Sequence, residues 1–255
     1  MPLARTDLES LLRDRKLVPP ITFAQNTDEY AAAPTAVTPL DARLGGGFPR
    51  GQLSEIVGPR SSGRTSVLLQ MLAAATARQE IVALVDVLDM LDVASAEAAG
   101  VDFGRLLWIR GQVMIHWGRD MNERALDRAI KALTLVLQAG NFGLVAFDAA
   151  EAPLQALQRL PFTTWRRLQR LIEGSQTACV LVGGAPMARS AGGVTVRLNR
   201  AGGAGRAGAG ESRAGSSGVR VDGLLFKGLD FEVEIIRPHA RMHHDVRMPL
   251  STTCA

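Results

Sequence analysis

The chain has 255 residues, 47% hydrophobic and 21% charged, which suits one sizeable α/β core and excludes a disordered or fibrous chain. Its formal net charge of +4, with arginine far outnumbering lysine, permits a nucleic-acid partner without requiring one. Cys179 and Cys254 cannot build a disulfide framework or a cysteine zinc site, and no apolar stretch reaches the roughly 20 residues of a membrane helix, so a cytoplasmic protein without membrane association is expected.

Leu8, Leu11 and Leu12 recur at helical spacing within Thr6 to Lys16, and Thr6 and Glu9 stand in the relation of a capping box, which predicts a short N-terminal helix. Pro19, Pro20 and the polar, alanine-rich run to Pro34 predict an extended tether, so residues 1–35 form an appendage to a core over 36–237. Leu53 to Val57 is a strand ending in Gly58, and Thr65 to Ala77 is a helix with Val67, Leu68, Met71 and Leu72 as its apolar stripe. Ile81 to Val85 is a second strand, closing on Asp86, Asp89 and Asp92, and Leu106 to Ile109 a third. Asn122 to Gln138 carries Leu126, Ile130, Leu133 and Leu137 on one face and is an amphipathic helix. Leu144 to Phe147 is a strand leading into Asp148, Thr163 to Glu173 a helix burying Trp165, Leu168 and Ile172, and Cys179 to Val182 the next strand. Strands alternating with helices predict an α/β fold with a mainly parallel twisted sheet covered on both faces.

The C-terminal part changes character. Val194 to Leu198, Gly223 to Lys227 and Phe231 to Ile236 suggest an antiparallel hairpin extension of the sheet. Arg200 to Gly218, almost wholly Gly, Ala, Ser and Arg, predicts a mobile loop over 200–218, and Pro238 to Ala255 a flexible tail. His239, His243 and His244 lack a second cluster of ligands, so no metal site is expected there.

Gly58-Pro59-Arg60-Ser61-Ser62-Gly63-Arg64-Thr65, with Ser66 behind it, has the spacing of a phosphate loop, with Arg64 in the lysine position. Between a strand and a helix such a loop turns backbone N–H groups toward phosphates, and Thr65 can hold Mg²⁺. Guanidinium keeps the charge of the lysine but is larger, planar and bidentate, so binding could survive while turnover falls.

In order and spacing, Thr38-Pro39-Leu40-Asp41, Gly45 to Gly51, Glu55-Ile56-Val57 and the phosphate loop resemble the opening of the bacterial RecA ATPase core. The resemblance continues through Leu69-Gln70, Leu84-Val85-Asp86, Leu91-Asp92 and Gly100-Val101-Asp102, close over about 36 to 110 and looser to about 237. It implies a RecA-like P-loop fold, with ATP and Mg²⁺ as cofactor, Asp148 at the Walker B position and Asp92 on the adenine side. Both acids also suit plain turn caps. Leu88 stands where the family has its water-activating glutamate, with Asp89 adjacent as a substitute candidate. Gly183-Gly184 replaces the glutamine that couples ATP to DNA, and the DNA-binding loop is cut to about Ala185 to Gly193.

These truncations, with Leu160-Pro161, Thr163, Arg166-Arg167-Leu168-Gln169 and Ser175, are similar to the ImuA family, RecA-like accessory proteins of the bacterial SOS mutasome. That likeness implies an adaptor in translesion synthesis that contacts RecA or polymerase subunits, with Leu8, Leu11 and Leu12 as the contact candidates. A weak ATPase or nucleotide-gated switch, or a DNA-binding RecA paralogue in recombinational repair, are the alternatives, and a homo-oligomer is compatible with each. For weak single-stranded DNA contact the candidates are Arg166, Arg167 and Arg170 on one helix, with Arg206 and Arg213 in the loop, although no aromatic platform interleaves them.

Overall fold

A computed structural model describes residues 31–111, 119–188, 192–200, 229–237 and 248–252. The expected N-terminal helix with Leu8, Leu11 and Leu12, the Gly223 to Lys227 strand, Arg206 and Arg213, and the three tail histidines all lie outside them.

The elements, in order, are β1 (Ala32–Ala33), α1 (Thr38–Arg43), β2 (Phe48–Pro49), β3 (Gln52–Val57), α2 (Arg64–Ala77), β4 (Val82–Asp86), α3 (Val93–Ala98), β5 (Leu106–Arg110), α4 (Arg119–Ala139), β6 (Leu144–Asp148), α5 (Leu154–Arg159), α6 (Phe162–Ile172), β7 (Ala178–Gly183), β8 (Thr195–Arg200), β9 (Leu229–Arg237) and β10 (Met248–Thr252). β1 and β2 form a small antiparallel ribbon, and the other strands form one sheet in the order β10-β9-β8-β3-β7-β6-β4-β5. Pairing is parallel from β8 across to β5 and antiparallel for β8–β9 and β9–β10. The predicted α/β class, mainly parallel with an antiparallel extension, is what the chain adopts.

The central strands are apolar along their whole length because both faces are buried. Leu84, Leu144, Ala146 and Val180 face one way, against Val67, Leu68, Met71 and Leu72 of α2. Their neighbours Ala83, Val85, Val145, Phe147 and Leu181 face the other, against Leu126, Ile130 and Leu133 of α4 and Trp165, Leu168 and Ile172 of α6. The strand period of two thus divides one sequence run between two cores. No helix among the described residues is long and apolar enough to cross a membrane.

The C-terminal expectations need correction in two places. β8 lies parallel to β3, so the chain enters it by a crossover, and only its pairing with β9 is antiparallel. The flexible tail expected over 238–255 contains β10, which pairs with β9 in the register Met248↔Val233 and Leu250↔Phe231. Pro249 conceals this strand in the sequence, since proline cannot donate to a ladder, but at a sheet edge the missing N–H is tolerated.

Candidate functional site

β3 delivers the phosphate loop and α2 leaves from it, with Gly63 at the helix N-cap in the left-handed region at φ 92° and no side chain capping the turn. The α2 N-terminus therefore keeps its first N–H groups free of side-chain caps, as an anion site requires. Ser62 Oγ is buried and has no hydrogen-bond partner among the described residues, an orphaned donor inside the loop. Gly58 has a different duty from the one its motif position suggests. A Cβ there would stand 2.2 Å from Leu198 O and 2.7 Å from Ser62 Oγ, so the glycine admits the close approach of β8. Gly58→Ala is accordingly expected to destabilise the protein by about 1–3 kcal/mol without any ligand. Thermal unfolding of the nucleotide-free protein checks this, and an unchanged midpoint would count against the packing role.

A cleft of about 350 Å³ opens beside the loop. Arg60, Ser61 and Thr65 line it on the loop side, Asp86, Leu88, Asp148 and Glu151 on the strand-end side. Thr65 and Asp148, the two candidate metal ligands, are thus brought to one space. Asp86 is satisfied internally: its carboxylate accepts from Met90 N and Leu91 N, both at 2.9 Å, and from Trp108 Nε1 at 3.3 Å. Asp148 is its register partner on the adjacent strand and accepts from Ala150 N at 2.9 Å. Burial pushes the Asp148 carboxyl up to about 6, against the Ala150 hydrogen bond and with the charge of Asp86 adding to it.

Arg64 is only 5% exposed and does not line this cleft. Its Nη1 donates to Ala150 O at 3.2 Å and its Nη2 to Glu151 Oε1 at 3.4 Å, and Nη1 would lie 3.9 Å from a Cβ on Gly184. Burial pulls its pKa down, opposed by the charges of Glu151 and Asp148. Arg60 reaches across the mouth and donates from Nε to Glu151 Oε2 at 2.6 Å. One carboxylate therefore engages both loop arginines. Glu151 has no motif that announces it; its position three residues after Asp148 is the sole sequence signal.

Asp89 and Asp92 are not brought to the cleft. Asp89, at φ 58°, is held bidentate by Arg110 Nε and Nη2 at 2.8 Å each, a hydrogen-bonded pairing that lowers its pKa. Arg110 in turn lies 4.5 Å over the Trp108 ring. Asp92 caps α3, accepting from Ser95 N at 3.1 Å. Leu88 is 7% exposed and presents hydrocarbon to the cleft. The cap role weighed for Asp92 and Asp148 describes Asp92, and Asp148 also accepts a local N–H from Ala150, whereas Asp89 ties its turn to β5 through Arg110.

On α6, Arg166, Arg167 and Arg170 are exposed. Contrary to the expectation of no interleaved aromatic, Phe162 is 39% exposed and lies under Arg166, 5.8 Å from its guanidinium carbon.

Residues 21–154 match the RecA N-terminal domain. Protein RecA of Cutibacterium acnes is 37% identical over 129 residues, covering 50% of this chain and 34% of that protein. Protein RecA of Acholeplasma laidlawii is 34% identical over 122 residues, with 48% and 33% covered. Protein RecA of Symbiobacterium thermophilum is 47% identical over 75 residues, with 29% and 21% covered. The matched stretch spans at most about a third of the length of these relatives.

Proposed function

Since the chain belongs to the RecA N-terminal domain family, we propose that it is a RecA-fold adaptor of damage-inducible translesion synthesis, one that contacts RecA or error-prone polymerase subunits and does not run on ATP turnover. One observation carries the second half of this reading. The arginine in the phosphate-loop lysine position is tied to Ala150 O and Glu151, while Leu88 fills the water-activating position with hydrocarbon. Transfer to water needs a cation on the terminal phosphate and a group that orients the attacking water; the Arg64 guanidinium is engaged elsewhere and Leu88 carries no such group, which supports this half of the reading. The likeness to mutasome accessory proteins in Arg166-Arg167-Leu168-Gln169 and the short loop after Gly184 supports the first half.

Nucleotide with Mg²⁺, when bound, supplies a transferable phosphoryl group and a divalent charge. Thr65 and Asp148 would hold the ion and the loop from Gly58 to Ser66 the phosphates, a fit that the orphaned Ser62 Oγ supports. That same fit favours the rival reading, a nucleotide-gated switch in which Mg-ATP changes the adaptor's grip on its partner. Exposed Arg166, Arg167 and Arg170 beside Phe162 support weak single-stranded DNA contact as a property an adaptor could combine with either.

Two assays test the proposal. Purified protein with Mg-ATP is expected to release no phosphate above background; turnover abolished by Thr65→Ala would sink the adaptor reading and establish a slow ATPase. Replacing Leu8, Leu11 and Leu12 by Asp is expected to weaken RecA or polymerase binding at least about tenfold, the ratio that 1.4 kcal/mol produces. Unchanged binding would move the contact elsewhere on the chain.

A further inference from the structure

Glu151 is the one carboxylate in the cleft that reaches both loop arginines. Arg60 Nε donates to its Oε2 at 2.6 Å, and Arg64 Nη2 to its Oε1 at 3.4 Å, so the two oxygens are divided between the two guanidiniums. Guanidinium takes phosphate oxygens through the same kind of charge-assisted contact. The Arg60 side chain is 83% exposed, whereas that of Glu151 is 24% exposed. The flexible arm thus leans onto a carboxylate fixed in the wall, and the carboxylate is not merely decorating a mobile arginine. The hydrogen bond and the charge of Glu151 both hold the Arg60 guanidinium more firmly protonated.

The local charge balance decides what this arrangement does. In and beside the cleft, the carboxylates of Asp86, Asp148 and Glu151 outnumber the guanidiniums of Arg60 and Arg64. A polyphosphate that takes both guanidiniums must displace the Glu151 carboxylate from them and then lie beside the displaced charge. Changing Glu151 to a neutral isostere would leave two arginines facing two acids.

We propose that Glu151 is an internal anion of the phosphate loop: its carboxylate takes the guanidinium contacts of a bound phosphate and so competes with nucleotides for the two loop arginines. The inference rests on treating Gly58 to Ser66 as a phosphate cradle, which the adaptor reading shares, but not on the absence of turnover. The exchange is one of ion pairs alone, with no bond made or broken.

The experiment is calorimetric titration of wild type, Glu151→Asp and Glu151→Gln with Mg-ATP and, separately, with inorganic triphosphate, which lacks the base and sugar. Affinity is expected to rise in the order Glu, Asp, Gln, with Glu151→Gln at least about tenfold tighter than wild type for both probes. The aspartate, one methylene shorter, reaches the arginines less well and keeps the charge, so it guards against a glutamine variant that folds poorly. Equal or weaker binding in both variants would overturn the inference, as would tightening for Mg-ATP with none for triphosphate. A wild-type hydrolysis rate lost in Glu151→Gln would also overturn it and make Glu151 the missing base. Thr65-dependent hydrolysis that survives in Glu151→Gln, with the affinity order intact, would instead defeat the adaptor reading and leave the internal anion standing.

Discussion

Trp165→Ala is expected to lower the free energy of unfolding by about 3–5 kcal/mol, the range for removing a fully buried large aromatic from a core that cannot collapse around the gap. Trp165 is 2% exposed and meets Phe147 of β6 edge-on, with ring centroids 6.4 Å apart and planes at 77°. It is therefore the residue that seats α6 on the sheet. The consequence extends to the loop, because α6 also carries Gln169, whose Oε1 accepts from Leu53 N at 2.8 Å and whose Nε2 donates to Gly51 O at 3.3 Å. Those bonds fix the start of β3, the strand that delivers the phosphate loop. Guanidinium denaturation should show the midpoint falling with little change in slope, and Trp165→Phe should lose far less. A loss below about 1 kcal/mol for alanine would mean that the helix is held by its other contacts.

The residues that made this seat legible in the sequence are of a particular kind. Trp165, Leu168 and Ile172 announce themselves by helical spacing, and the strands by unbroken apolar runs, because burial on both faces writes itself into every position. The phosphate loop is legible because its backbone geometry demands glycine at fixed offsets, as Gly63 with its positive φ demonstrates. What stays hidden depends on pairs far apart in the chain. Glu151 acquires its role only when the fold brings it to Arg60 and Arg64, residues separated from it by 91 and 87 positions. Asp89 looks like a spare catalytic acid until the turn at Val87 to Met90 points it at Arg110. The short helices α1, α3 and α5, each of six residues, are too brief for periodicity to separate them from loops.

The Asp86–Asp148 pair at the strand ends, the first buried and the second half-buried, supplies the other large effect. Asp148→Asn is expected to stabilise the metal-free protein by about 3 kcal/mol near neutral pH and to change little near pH 4. The sign follows from the direction of the shift. The Asp148 carboxyl titrates near 3.8 when unfolded and is pushed up to about 6 by burial beside Asp86. Below the lower value it is protonated in both states and contributes nothing. Between the two values the unfolded chain is ionised while the folded one still holds its proton, so stability falls as pH rises. Above the upper value the whole difference is lost, each unit amounting to about 1.4 kcal/mol. Asparagine avoids that loss and can keep the Ala150 N–H bond through its side-chain oxygen. Denaturation curves of both proteins at about pH 4 and about pH 7.5 measure the gap directly. Equal stability at the higher pH would show that the folded protein accommodates the charge without cost. Saturating Mg²⁺ should narrow the gap by stabilising the wild type alone, because an ion held by Thr65 and ionised Asp148 binds only the native state. If Mg²⁺ shifted both proteins equally, the ion would not be resting on Asp148.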